Sequence, residues 1–118
     1  MRTEPVGTLP AREPSHQLPA VLVRQIDAIS SICEQNDVRA LYVFGSAVHG
    51  TFEPATSDLD FQVDLGDELV GVARRYAGVY NGLSGLFDRN IDLITTRSRG
   101  NERFLREVAR TRRTVYAS

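Results

Sequence analysis

The rhythm of apolar and polar positions changes several times along this chain, and each change marks an element. From Ala20 onward, Leu22, Ile26, Ile29 and Cys33 recur at spacings of four, three and four, the stripe of an amphipathic helix, and Asn36 is its end signal. Residues 38–44 ("VRALYVF") are β-branched and aromatic and stop at Gly45, which predicts a short buried strand. Residues 46–50 follow as a short helix or turn, then a loop over 51–57 containing Pro54. Residues 58–65 ("DLDFQVDL") alternate strictly: Leu59, Phe61, Val63 and Leu65 share one side, and Asp58, Asp60, Gln62 and Asp64 the other. This is the clearest strand in the chain. Leu69, Ala73, Tyr76, Tyr80 and Leu83 predict a second helix starting near Asp67, weakened by Gly71, Gly78, Gly82 and Gly85. Residues 90–95 ("NIDLIT") predict a further strand with Asp92 opposite Ile91 and Leu93. Asn101 then reads as the N-cap of a helix with Phe104, Leu105 and Val108 on its apolar side, and "TVYA" as a closing strand.

The resulting order is helix, strand, turn, strand, helix, strand, helix, strand, with no internal repeat. It predicts an α/β (α+β) layer sandwich, a small mixed sheet with the two long helices packed on one face and the other face left for the aspartates. Four of the five prolines, Pro5, Pro10, Pro14 and Pro19, precede this pattern among polar neighbours. Residues 1–19 are therefore expected to form a flexible arm and 20–118 the folded domain.

Composition narrows the function classes. At 118 residues, 42% hydrophobic and 25% charged, the chain suits one globular domain. No apolar run reaches the roughly 18 residues of a membrane span, and the N-terminus has no signal-peptide apolar region, so a cytoplasmic protein without a membrane partner is expected. A single cysteine, Cys33, excludes an intrachain disulfide and a cysteine-based metal cluster. All 14 basic residues are arginine, which excludes lysine Schiff-base chemistry. Seven of these arginines lie in residues 97–113 against Glu102 and Glu107. Near-neutral overall charge and the lack of interleaved aromatics argue against direct nucleic-acid binding.

The stretch "FGSAVHGTFEPATSDLDF" concentrates the candidate chemistry. Positions two apart on a strand project from one face roughly 6–7 Å from each other, so Asp58 and Asp60 converge. Hard divalent cations such as magnesium take oxygen ligands, and carboxylates plus substrate phosphates suffice to hold them. Asp92, in the polar register of another strand, reaches the same place if the strands are neighbours. Three carboxylates suit a two-metal phosphoryl site, with ions about 3.5–4 Å apart. Where a strand ends at Gly45 and a helix begins, free N–H groups make an anion site that glycine leaves open, and Ser46 adds a hydroxyl. Gly45 and Gly50 match the outer glycines of a Walker A loop, but Thr51 stands where its lysine belongs, which rejects that reading.

With these residues in hand, "GSAVHG", "SDLDF" and "IDLI" resemble the glycine-serine, paired-aspartate and third-aspartate motifs of the polymerase-β-type nucleotidyltransferases. More closely, the chain resembles the minimal nucleotidyltransferases, single domains of about this length, in a match running from the first helix to "NERFLREVARTRRTVYA". The resemblance implies the polymerase-β-like fold, with Asp58, Asp60 and Asp92 as catalytic residues holding two Mg2+ ions. Gly45 and Ser46 would bind the triphosphate of a nucleoside triphosphate, ATP. The implied reaction is attack of a hydroxyl on the α-phosphorus with loss of pyrophosphate. Many minimal nucleotidyltransferases are antitoxins that add AMP to a tyrosine of a HEPN-type ribonuclease toxin, so the resemblance also implies a protein acceptor and such a partner. The family often carries arginine in the glycine-flanked segment. This chain has Ala47, Val48 and His49 there, leaving His49 or a C-terminal arginine to compensate.

Plainer readings compete for each residue. An isolated aspartate pair is ordinarily a solvated strand face, and only the conjunction with Gly45, Ser46 and Asp92 favours chemistry. Asp64 has no counterpart in the motif and reads as surface. His49 reads first as a turn residue, because magnesium prefers oxygen, while Cys33, Tyr76 and Tyr80 read as core. Two functions of different class follow: an active Mg2+-dependent nucleotidyltransferase, or a catalytically weak module of the same fold that blocks its partner sterically. The lack of a second domain disfavours a small-molecule transferase.

Overall fold

The computed structural model describes residues 18–98 and 101–118, so the proline-rich arm expected over 1–19 lies almost wholly outside the described residues. Two short helices, α1 (Ala20–Val23) and α2 (Ile26–Gln35), lead into β1 (Ala40–Phe44), α3 (Ser46–His49), β2 (Leu59–Asp64) and α4 (Val72–Leu86). Next come β3 (Ile91–Thr95), α5 (Glu102–Thr111) and β4 (Arg113–Ala117). The strands form one mixed sheet in the order β3-β2-β1-β4, in which β2 and β3 run parallel and the other pairs antiparallel. Among the described residues no helix is long and apolar enough to cross a membrane.

Strict alternation on β2 sorts its side chains as expected. Leu59, Phe61 and Val63 are fully buried against the helical layer, where Phe61 meets Phe87 at 6.3 Å between ring centres. Asp60 and Asp64 turn to the other face with Gln62, which is itself buried. Burying a side chain the size of Phe61 is worth roughly 1.5–3 kcal/mol. Strand register is thereby specified, since a one-residue slip would carry this apolar set to the polar face.

Two helical expectations need correction. The stripe from Leu22 to Cys33 is not one helix: it is interrupted at Arg24 and Gln25, where Gln25 N–H donates to the Leu22 carbonyl at 3.0 Å in a tightened turn. Leu22, Ile29 and Cys33 remain completely buried across the break. The second long helix starts at Val72, not near Asp67, and its inner face carries Arg75, Val79 and Leu83. Leu69, Ala73 and Tyr80 of the expected stripe are exposed and Tyr76 is half-buried. Arg75 explains the misphasing. Its guanidinium sits inside the fold and donates to the carbonyls of Leu65 (3.0 Å), Glu68 (2.7 Å) and Asp37 (3.4 Å), fastening two loops to the helix. Gly82 is equally misread as a weakness: a Cβ there would lie 2.9 Å from Ile32 Cγ2, so its absence lets α4 lie close against α2.

Helices α2 and α4 share one face, as the pattern implies. The return to β4 runs through α5, which meets the other face: Phe104 packs edge-on against Phe44 at 6.0 Å and 74°. Asn101 caps α5 as expected, its Oδ1 accepting from Phe104 N–H at 2.9 Å. Just past its end, Arg112 stacks over the Tyr42 ring at 3.7 Å and donates to Gln62 Oε1 at 2.7 Å. The aspartate face is thus walled on one side.

Candidate active site

Sheet register assembles the site. Phe44, last residue of β1, pairs with Asp60, and Asp60 pairs across the parallel ladder with Asp92. The chain then leaves β1 through Gly45 at φ 72° and ψ −143°, a conformation costly for residues with a Cβ. A Cβ at Gly45 would overlap Asp60 Oδ2 and lie 3.2 Å from its Cγ, so glycine admits the carboxylate against the backbone. Beyond it, α3 is a single turn in which the N–H groups of Val48 and His49 donate to the Gly45 carbonyl. Those of Ser46 and Ala47 have no intrahelical acceptor, as at any helix start.

The structure brings Asp60 and Asp92 together: register pairs them across β2 and β3, close enough for a hydrogen bond between their carboxyls when one is protonated. Burial, that bond and the nearby charges of Asp92 and Asp58 push the Asp60 carboxyl up from 3.8 to about 6. Asp58 stands just before β2, exposed but close enough for its charge to be felt at Asp60. Among the described residues, no three His, Cys, Asp or Glu side chains already converge as a finished metal cage. What exists is a pair in contact with a third acid beside it. An all-oxygen donor set whose crowded charge is relieved by a proton suits a hard divalent cation, which relieves the same repulsion.

Asp60 and Asp92 open into a cleft of about 440 Å³ lined by Gly45 and His49 on one side and by Phe104 and Glu107 of α5 on the other; Asp58 and Ser46 stand outside its lining. A larger cleft of about 770 Å³, around Arg75, opens at the far end of β1 and β2 and contains none of these acids. His49 belongs to the cleft, so its reading as a simple turn residue is incomplete. The α5 wall is absent from sequence reasoning, because the cap and the stripe of that helix announce its existence and not its position. Arg89 is likewise missed. It bonds the loop ahead of Asp58 at the carbonyls of Ser57 (2.9 Å) and Pro54 and lies over the Phe52 ring at 5.0 Å.

Comparison with known proteins agrees with this architecture. A solved toxin–antitoxin structure with AMP-PNP superposes with a TM-score of 0.59 at 22% identity, covering 79% of this chain and 73% of its own. The toxin–antitoxin MntA–HepT superposes with a TM-score of 0.56 at 19% identity, covering 81% and 73% respectively. At such identities the likeness is one of fold. No curated protein matches the chain. The sequence signature described as Polymerase beta, Nucleotidyltransferase matches residues 27–118, which take in every strand and each of the candidate acids. The chain belongs to the polymerase beta nucleotidyltransferase family.

Proposed function

We propose that the protein is a Mg2+-dependent nucleotidyltransferase that transfers AMP from ATP to a protein hydroxyl, as the antitoxin of a HEPN-type ribonuclease toxin in the cytoplasm. The observation that carries this reading is the contact of Asp60 with Asp92 beside the Gly45–Ser46 turn. Family membership supports the reaction class. The neighbour with AMP-PNP supports an adenine nucleotide, and MntA–HepT supports a toxin as partner.

Asp58, Asp60 and Asp92 are the residues that would hold Mg2+, two ions being the expectation for three acids. Bound there, Mg2+ would neutralise phosphate charge and favour the ionised hydroxyl. The chain's own residues supply the rest. Gly45 lets a phosphate approach the backbone, and Ser46 offers it a hydroxyl and an N–H. The acceptor oxygen forms a bond to the α-phosphorus, the bond to pyrophosphate breaks, and the hydroxyl proton passes to Asp92. Catalysis of this kind rests on positioning and charge.

The test is to express the protein with the product of any toxin-like gene found beside its own, purify the two together, and incubate them with α-labelled ATP and Mg2+. Label should appear on the toxin, and Asp60→Asn or Asp92→Asn should reduce transfer at least 100-fold, on the order expected for loss of a group acting in the transition state. Neutralisation surviving both substitutions, with no label transferred by the unmodified protein, would establish steric blocking instead.

A further inference from the structure

We propose that Arg89 is a positioning residue that presents Asp58 to the Asp60–Asp92 pair; this rests on the metal-binding reading above and adds to it a residue outside the acid motifs. Asp58 lies outside the sheet ladder, at the end of the loop 51–57, so strand register does not place it as it places Asp60 and Asp92. The ladder fixes only its C-terminal neighbour, Leu59, so its other side needs a second hold.

Residues 89 and 90, in the turn between α4 and β3, hold Asp58 from both sides. Arg89 Nη1 donates to the carbonyl of Ser57, immediately before it, at 2.9 Å, and the Asn90 carbonyl accepts from Leu59 N–H, immediately after it, at 3.1 Å. The other end of the guanidinium donates to the Pro54 carbonyl, and its plane covers Phe52 at 5.0 Å. Within the loop, Ser57 Oγ accepts from Glu53 N–H at 2.8 Å and Ser57 N–H donates to the Glu53 carbonyl at 2.9 Å. The loop is therefore a compact turn, and Arg89 ties it to the turn that begins β3. A planar fork spans two carbonyls in a fixed geometry, whereas an ammonium offers its donors from a single point.

Arg89 Nε is buried with no acceptor among the described residues. An unmatched buried donor costs roughly 1–3 kcal/mol, a cost set against the two carbonyl bonds and the stack on Phe52. Because β3 also carries Asp92, tying the loop to the start of that strand couples Asp58 to both other acids.

The experiment measures Mn2+ binding to the full chain without nucleotide, by electron paramagnetic resonance and calorimetry. The proteins compared are the unmodified chain, Arg89→Met, Arg89→Lys, Asp58→Asn, Asp60→Asn and the double variant Arg89→Met/Asp58→Asn. Arg89→Met should weaken Mn2+ about tenfold, as loss of a group supporting a metal ligand does, and Arg89→Lys should recover part of that loss. The double variant should bind no more weakly than Asp58→Asn, because Arg89 acts through Asp58. Unchanged affinity in Arg89→Met, or additive losses in the double variant, would overturn the proposal while leaving the metal site intact. If the unmodified chain takes up no Mn2+, or Asp60→Asn binds it equally well, the metal-binding reading itself falls. Arg89→Lys keeps the charge and one bond, so it carries the comparison if Arg89→Met does not fold.

Discussion

Substituting Asp60 by asparagine should destroy activity and stabilise the fold. The carboxyl of Asp60 is raised from 3.8 to about 6, first by burial, then by its hydrogen bond to Asp92, then by the charges of Asp92 and Asp58. A carboxyl with a raised folded-state value binds its proton more tightly when folded. Its contribution therefore favours folding below the unfolded value near 3.8 and is lost as pH rises through about 6. At pH 7.5 the ionised group opposes folding. A shift of this size corresponds to about 3 kcal/mol at 1.36 kcal/mol per unit. Asp60 is only half-buried, so screening by solvent reduces this to about 1–2 kcal/mol. Asparagine is neutral at every pH and can still bond Asp92. In urea titrations without divalent ions, Asp60→Asn should be more stable than the parent by about 1–2 kcal/mol at pH 7.5, equivalent to roughly 5–10 °C in Tm for a domain this size. The gap should close as pH falls from 6 towards 4. Added Mg2+ should raise the parent and leave the variant unmoved. A variant less stable than the parent at pH 7.5, or a gap that ignores pH, would refute the charge-crowding account of this site.

Two further substitutions test the frame around the acids. Gly45→Ala forces a Cβ into a left-handed conformation and against Asp60 Oδ2, so it should cost about 1–3 kcal/mol and abolish transfer; urea midpoints and the label assay report both losses, and an active, equally stable variant would contradict the close approach. Arg75→Met leaves the carbonyls of Leu65, Glu68 and Asp37 short of a donor, which should lower stability by about 2–4 kcal/mol in urea titrations, with transfer per folded molecule kept because Arg75 lies at the opposite end of β1 and β2.

What was legible in the sequence is what depends on neighbours along the chain. Alternation from Asp58 to Leu65 announces β2 because a half-buried strand imposes a period of two, and Asn101 announces α5 because its side chain caps a bond three residues on. The phase of α4 was not legible. Its inner face includes Arg75, a residue that periodicity assigns to solvent, and it is acceptable inside only because three distant carbonyls meet it. The interruption at Arg24 and Gln25 leaves the apolar spacing intact, so nothing in the pattern betrays it.

The site divides along the same line. Gly45, Ser46, Asp58 and Asp60 fall within one short stretch, so the sequence alone marks them as candidates. Asp92 needs a fact about topology, that β2 and β3 are parallel neighbours in the register setting Asp60 beside it. Phe104, Glu107 and Arg89 need more than topology, because their places depend on how α5 crosses the polar face and how the turn before β3 meets the loop before β2. Two of the three acids are thus positioned by backbone ladders, which tolerate change poorly, and the third by a side-chain brace, which a single substitution can release. Metal affinity in this chain should accordingly be adjustable at Arg89 without disturbing the register that holds Asp60 against Asp92.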